Sequence, residues 1–230
     1  MVARLEIKEV AAENLHIDDL PRATGSAFLL CAKTPFFNNP RWYLAGGTAL
    51  ALQMGHRQSV DLDFFTPQKR IDEPAIDREL TATLDGWRSN YRERGTIFGE
   101  IDAAKISLIA YPFFQPSPVR LLCGDVYLLV PEDIAAMKVI AVSQRGRKRD
   151  FVDLYWYCTK CEPLAHVVKR AVMQYPGQQK NINHIIKSLV YFADAEDDPM
   201  PKLFFRANWK IIKQYFVTEA ERAARAFLEE

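Results

Sequence analysis

The chain has 230 residues, 49% of them hydrophobic and 26% charged, with 13 Pro, 10 Gly and a net charge of +1. That composition excludes disordered, collagen-like and low-complexity chains, and the length suits one large domain or a main domain with a helical extension, domains running to roughly 150 residues. No stretch approaches the roughly 18 consecutive apolar residues of a membrane helix, and the segment from Met1 to Glu9 lacks a signal-peptide apolar run, so a cytoplasmic protein with no membrane partner is expected.

The first predicted element is a helix over 19–33, with Pro21 near its start and an apolar face from Ala27 to Cys31. Trp42 to Ala45 reads as a buried strand stopping at Gly46-Gly47, and Thr48 to Met54 as a helix ending at Gly55. Val60 to Phe65 alternates and is rich in strand formers, although it carries Asp61 and Asp63. A polar stretch over 72–92 is expected to be helical. Thr96 to Ile101 and Lys105 to Tyr111 form a predicted hairpin, and Val119 to Leu122 with Val126 to Val130 a second pair, so the sheet is expected to be mixed.

From Pro131 the spacing of Ile134, Met137 and Ala141 becomes helical, and Glu132 and Asp133 favour a helix start. The rest is expected to be mostly helical, interrupted at Pro199 and Pro201, with Thr218 and Glu221 placed as a capping box for a last helix. The predicted class is α+β, with a core over 1–157 and a helical extension over 158–230.

The chemistry concentrates where Gly46-Gly47-Thr48 is followed, after a short helix, by Asp61-Leu62-Asp63. Side chains at i and i+2 of a strand share a face, so two carboxylates stand side by side. They repel unless a cation lies between them, and paired Mg²⁺ ions clamping a phosphoryl group are the usual reason for such a pair. Gly46 and Gly47 permit close backbone approach at a helix start, where free N–H groups and the helix dipole favour phosphate, and the Thr48 hydroxyl serves as a donor or an N-cap. Asp-x-Asp alone is weak, as is Gly-Gly. The order strand, Gly-Gly-Thr, helix, strand with Asp-x-Asp is far more specific, and it is the layout of polymerase-beta-like nucleotidyltransferases.

The segments Leu44 to Phe65 and Asp133 to Tyr155, with a weaker echo in Leu189 to Glu196, resemble the AbiEii/AbiGii nucleotidyltransferase toxins of type IV toxin–antitoxin and abortive-infection systems. The resemblance implies a polymerase-beta-like core and an Mg²⁺-dependent enzyme, with a two-metal site, that moves a nucleoside monophosphate from an NTP to an acceptor. It implies phosphate gripping by Gly46, Gly47 and Thr48, metal ligation by Asp61 and Asp63, a triphosphate-directed Lys138 and a motif acid at Asp150. His56 and Arg57 match the family's Gly-His-Arg signature. Arg57 either touches the nucleotide or plays a structural part, whereas His56 is expected as a helix C-terminal cap. The acceptor implied is RNA, at a tRNA 3′ end, and a cognate antitoxin is implied as partner. Transfer to a protein or small-molecule hydroxyl, and a catalytically silent binding protein, are the alternatives.

In many related enzymes a third carboxylate stands on a strand beside Asp-x-Asp, but the matching strand here offers Ser107, so either Glu100, Asp102 or Asp150 supplies that charge or the second metal is weakly held. On the helix bearing Asp150, Asp153 shares its face at i+3, so either acid suits the site while the other pairs locally. Residues 138–187 hold ten Lys or Arg against three acids, a balance of 10 − 3 = +7; such a stretch suits nucleic acid, and equally a solvated helical surface. Cys31, Cys123, Cys158 and Cys161 are expected as reduced thiols, and Cys158-x-x-Cys161, without a second ligand pair, as inert.

Overall fold

The computed structural model describes residues 4–228, and the chain divides between Val130 and Pro131 into two compact units. The first unit holds one sheet of strands β1 (Glu6–Glu9), β2 (Tyr43–Ala45), β3 (Leu62–Thr66), β4 (Trp87–Glu93), β5 (Thr96–Ile101), β6 (Ala104–Ala110), β7 (Val119–Cys123) and β8 (Val126–Leu129). Their order is β1-β7-β8-β2-β3-β6-β5-β4. The pairs β1/β7, β2/β8 and β3/β6 are parallel and the other neighbours antiparallel, so the sheet is mixed as expected.

Strict alternation sets which face is dry. On β3, Leu62, Phe64 and Thr66 are buried while Asp63 and Phe65 are partly exposed. Leu62 and Phe64 join Leu44, Ile97, Ile101, Ile106 and Leu108 in the core, each contributing about 1.5–3 kcal/mol by leaving water. Helices α1 (Arg22–Cys31) and α2 (Gly46–Met54) pack on β6 and on β2 and β3, and α3 (Glu73–Thr83) on β4 and β5. A slip of one residue in β3 would turn Asp63 into that core.

Two strands differ from expectation. The stretch 72–92 is helical only as far as Thr83; Gly86, at φ +76°, reverses the chain and Trp87 to Glu93 forms β4. β1 carries no apolar signal, being Glu-Ile-Lys-Glu and exposed throughout. Both are edge strands, and charged side chains there guard open backbone groups instead of filling a core.

The second unit is helical: α4 (Pro131–Arg145), α5 (Lys148–Lys160), α6 (Leu164–Gln174), α7 (Ile182–Ser188) and α8 (Trp209–Leu228). The boundary expected at residue 157 falls inside α5, and by compactness α4 and α5 belong with the helices that follow. Phe151 of α5 explains this, since its ring centroid lies 5.3 Å from Phe192, 5.6 Å from Trp209 and 5.2 Å from Phe216. Thr218 opens no helix: it sits within α8, where its hydroxyl donates to the Gln214 carbonyl at 3.2 Å. No helix among the described residues is long and apolar enough to cross a membrane.

Candidate active site

α2 begins directly at Gly46, one residue after β2 ends, and Gly46 takes φ +73° to make the turn. A side chain there would also meet Asp63, whose Oδ2 lies 3.2 Å from the position of a Cβ. The Asp63 carboxylate therefore lies against the head of α2, whose first N–H groups have no partner within the helix. Ala45 and Asp63 are register partners on β2 and β3, which fixes that approach. Asp61 lies just before β3, and the alternation of exposure over 61–66 puts Asp61, Asp63 and Phe65 on one face.

Gly47 is bare for a different reason. A Cβ on it would fall 2.2 Å from the Arg57 guanidinium and 3.2 Å from Ser59 Oγ. Arg57 is buried, and its Nη1 donates to the Gln58 carbonyl at 2.9 Å, so a fixed positive charge backs the glycine turn. Thr48 is not an N-cap: Ala45 holds that position and has no side-chain cap. The Thr48 hydroxyl bonds the Asp61 carbonyl and lies 2.9 Å from Ser59 Oγ. A carbonyl only accepts, so the Thr48 proton goes to Asp61 and Thr48 Oγ1 is left to accept from Ser59. The threonine thereby ties the first turn of α2 to the segment that carries the acids. His56 is no helix cap either, because Gly55 closes α2 in the left-handed conformation at φ +56° and His56 is buried behind it.

In the helical unit, Lys138 Nζ sits 2.7 Å from Asp150 Oδ1 and 2.8 Å from Asp153 Oδ2, with all three side chains nearly or wholly buried. Arg145 Nε lies 3.4 Å from Asp150 Oδ2, so two carboxylates face two cations. Both acids turn to the lysine. Arg149, next to Asp150, is exposed, as adjacent helix positions diverge.

The weak echo at Leu189 to Glu196 belongs to this arrangement too. Lys148 Nζ donates to the carbonyls of Glu196 and Asp198, its backbone N–H donates to Asp198 Oδ2 at 3.0 Å, and Arg147 Nη1 pairs with Asp198 Oδ1 at 2.8 Å. The start of α5, where Asp150 stands, is pinned by that loop. Sequence reasoning gave no part to Ser59 or Asp198; the motif residues Lys138 and Asp150, the i+3 spacing of Asp150 and Asp153, and the charge density from Arg145 to Asp153 signalled the rest of this network.

The profile of the nucleotidyl transferase AbiEii toxin family (type IV toxin–antitoxin system) matches residues 29–121 and 125–230. The chain belongs to that family. An uncharacterised protein of Aquifex aeolicus (strain VF5) is 33% identical over 196 residues, which span 82% of this chain and 88% of the relative. In fold, the chain is similar to MenT4, a nucleotidyltransferase toxin from Mycobacterium tuberculosis H37Rv (TM-score 0.54, 18% identity, 89% of each chain covered). It is also similar to a crystal structure from H. pylori provisionally described as a nucleotidyltransferase (TM-score 0.53, 15% identity, 91% of this chain and 98% of that one). The protein is thus a nucleotidyltransferase with the expected α+β fold and helical C-terminal region.

An AbiEii-family enzyme takes an NTP and, in general, a divalent metal. The donors present fit a hard cation: Asp61 and Asp63 offer only oxygen, on one face, beside the glycine turn. No third acid joins them, and among the described residues no group of three or more His, Cys, Asp or Glu is placed to hold a metal. Ser107 is the register partner of Asp63, as the sequence indicated. Glu100 faces Lys105 and the Arg88 guanidinium at 3.5 Å, Asp102 occupies the β5–β6 turn at φ 51°, and Asp150 is bound to Lys138. Two protein carboxylates suit Mg²⁺, which commonly keeps waters and takes further ligands from substrate phosphates. All four cysteines are free thiols, and burial pushes the Cys31 and Cys158 thiols far up.

Proposed function

We propose that this enzyme transfers a nucleoside monophosphate from an NTP to a 3′ hydroxyl of RNA, with a tRNA end as the acceptor, and uses Mg²⁺ in a two-metal site at Asp61 and Asp63. The observation that carries the reading is the contact of the Asp63 carboxylate with Gly46 at the head of α2, which puts metal-ligating oxygens beside N–H groups that can donate to phosphate. Bound Mg²⁺ would supply charge neutralisation for the displacement.

The chain's own residues divide the rest. The N–H groups of Gly46 and Gly47 donate to phosphate oxygens, and Arg57 holds positive charge behind them. Thr48 keeps the Asp61 carbonyl, and with it the acidic pair, at a fixed distance from α2. Lys138, held between Asp150 and Asp153, is the cation assigned to the triphosphate. On this reading the functional core runs over 1–157, with 158–230 as its helical extension. The acceptor oxygen bonds to the α-phosphorus, the bond to the β-phosphate oxygen breaks, pyrophosphate leaves and the hydroxyl proton is released. The reaction takes place in the cytoplasm, under control of a cognate antitoxin.

Titration of each NTP with Mg²⁺ into wild type and Asp63→Ala, followed by labelled-NTP transfer to total tRNA, tests this. Mg²⁺-dependent binding and labelled tRNA are expected in wild type alone. Label in protein or a small molecule would reassign the acceptor, and no NTP binding at all would overturn the catalytic reading in favour of a silent nucleotidyltransferase fold.

A further inference from the structure

The face of the sheet that carries Asp63 also carries two exposed aromatic rings. Tyr91 of β4, Phe98 of β5, Ser107 of β6 and Asp63 of β3 are successive register partners, and residues directly opposite on neighbouring strands share a face. The row therefore leads from Asp63 across Ser107 to Phe98 at about 10 Å and Tyr91 at about 14 Å, at roughly 4.8 Å per strand. Phe98 is 38% and Tyr91 58% exposed, and their rings stack at 6.3 Å with 18° between planes.

Burial does not account for this pair, since Ile97, Ile101 and Trp87 of the same strands fill the core on the opposite face. The pair is nonetheless braced. A Cβ on Gly99, beside Phe98, would fall 2.3 Å from the Trp87 ring, so the indole packs flat beneath β5. Trp87 Nε1 donates to Asp77 Oδ1 at 2.9 Å, which fixes that indole. A bulge between Ser89 and Tyr91 resets the register so that Tyr91 meets Phe98.

The surroundings select the occupant. Arg88, Arg94 and Lys105 are exposed around the pair against Glu93 and Glu100, with Arg88 3.5 Å from Glu100, a balance of 3 − 2 = +1 whose exposed Arg and Lys side chains can meet a phosphate backbone. A protein strand added at the β4 edge is disfavoured by Arg88, Arg92, Glu93 and the bulge. Exposed rings on a sheet face take unstacked bases of single strands, and duplex bases are not available to them.

We infer that Phe98 and Tyr91 form a stacking platform for the single-stranded 3′ segment of the RNA acceptor, holding the nucleotides just behind the hydroxyl that reacts beside Asp63. This rests on the RNA-acceptor reading above. The test uses the full chain and a fluorescein-labelled single-stranded oligoribonucleotide with a free 3′ hydroxyl, read by anisotropy. Phe98→Ala and Tyr91→Ala should each weaken binding about tenfold, Tyr91→Phe should bind as wild type, and Mg²⁺·NTP affinity should move less than twofold in all of them. Phe98→Leu keeps apolar bulk without a π face and should also lose about tenfold, which separates stacking from loss of fold. Wild-type RNA affinity in Phe98→Leu and Tyr91→Ala would overturn the platform while leaving the transferase intact. An oligonucleotide that does not bind wild type, which still binds Mg²⁺·NTP, would overturn it equally. Platform-dependent binding without transfer would leave the platform standing and overturn the acceptor reading alone.

Discussion

Gly46 and Gly47 are adjacent and chemically identical, yet they are required for different reasons, and their substitutions should fail differently. Alanine at Gly46 would hold an L residue at φ +73°, a left-handed cost of about 1–2 kcal/mol, and would press on Asp63 Oδ2. Gly46→Ala should therefore lower Tm and weaken Mg²⁺·NTP binding together. Alanine at Gly47 meets chiefly the end of the Arg57 side chain, which gives way at less cost than a backbone held at positive φ. Gly47→Ala should therefore lose less Tm than Gly46→Ala while NTP affinity falls about tenfold, the order of one lost charged hydrogen bond. Melting curves and calorimetric titration of both variants check this; equal Tm losses would show that the Arg57 contact is structural only. The glycine turn and the two acids were legible because their order along the chain is specific. The job of Thr48 was not, because its partner is a backbone carbonyl 13 residues on, which leaves no side-chain signature.

Between elements, α4 and α5 are joined by a buried charge cluster whose loss should be felt first as stability. Lys138→Ala strands Asp150 and Asp153 in a dry environment, a change that costs about 3–5 kcal/mol where a buried pair is broken from one side. A large Tm loss is expected, so absent activity in that variant says nothing of catalysis unless the protein is shown to be folded. Lys138→Met with Asp150→Asn and Asp153→Asn removes the charges together and should recover most of the stability but not the transfer, as thermal melting and labelled-NTP assays will show. Glu162, where α5 passes to α6, offers a pH readout. Burial raises its pKa, but hydrogen bonds from Arg170 and Tyr157 outweigh burial and hold it below the ordinary range for a glutamate. A depressed carboxylate contributes stability that is present above its unfolded pKa and lost as pH falls through the folded one. Urea midpoints of wild type should thus drop below about pH 4.5 more steeply than those of Glu162→Gln; parallel curves would remove this pair from the stability account. At this scale the sequence showed the central strands, which must be apolar and alternating, and hid β1 and β4, whose edge positions require charge instead.

Across the whole molecule, the net charge of +1 conceals a cation-rich stretch whose charges the fold largely spends on itself. Of the ten Lys or Arg over 138–187, Lys138 and Arg145 face Asp150 and Asp153, Arg147 and Lys148 are tied to the 196–198 loop, and Arg170 pairs with Glu162. One compensating carboxylate, Asp198, lies outside the window that gave +7, and Lys148 is held by the backbone carbonyls of Glu196 and Asp198, which is why a running charge count overstated the surface. Lys160, Lys180 and Lys187 are exposed and remain able to meet phosphates. Neutralising them as Lys160→Gln, Lys180→Gln and Lys187→Gln removes at most three such contacts, so the slope of log K for single-stranded RNA against log salt should become shallower by about 2, at roughly 0.7 per phosphate. Affinity measured from low to moderate salt in wild type and the triple variant decides the matter. An unchanged slope would take this stretch out of RNA binding, and a change well above 2 would mean that cations paired in the free protein, Lys138 or Arg147 among them, are released when RNA binds.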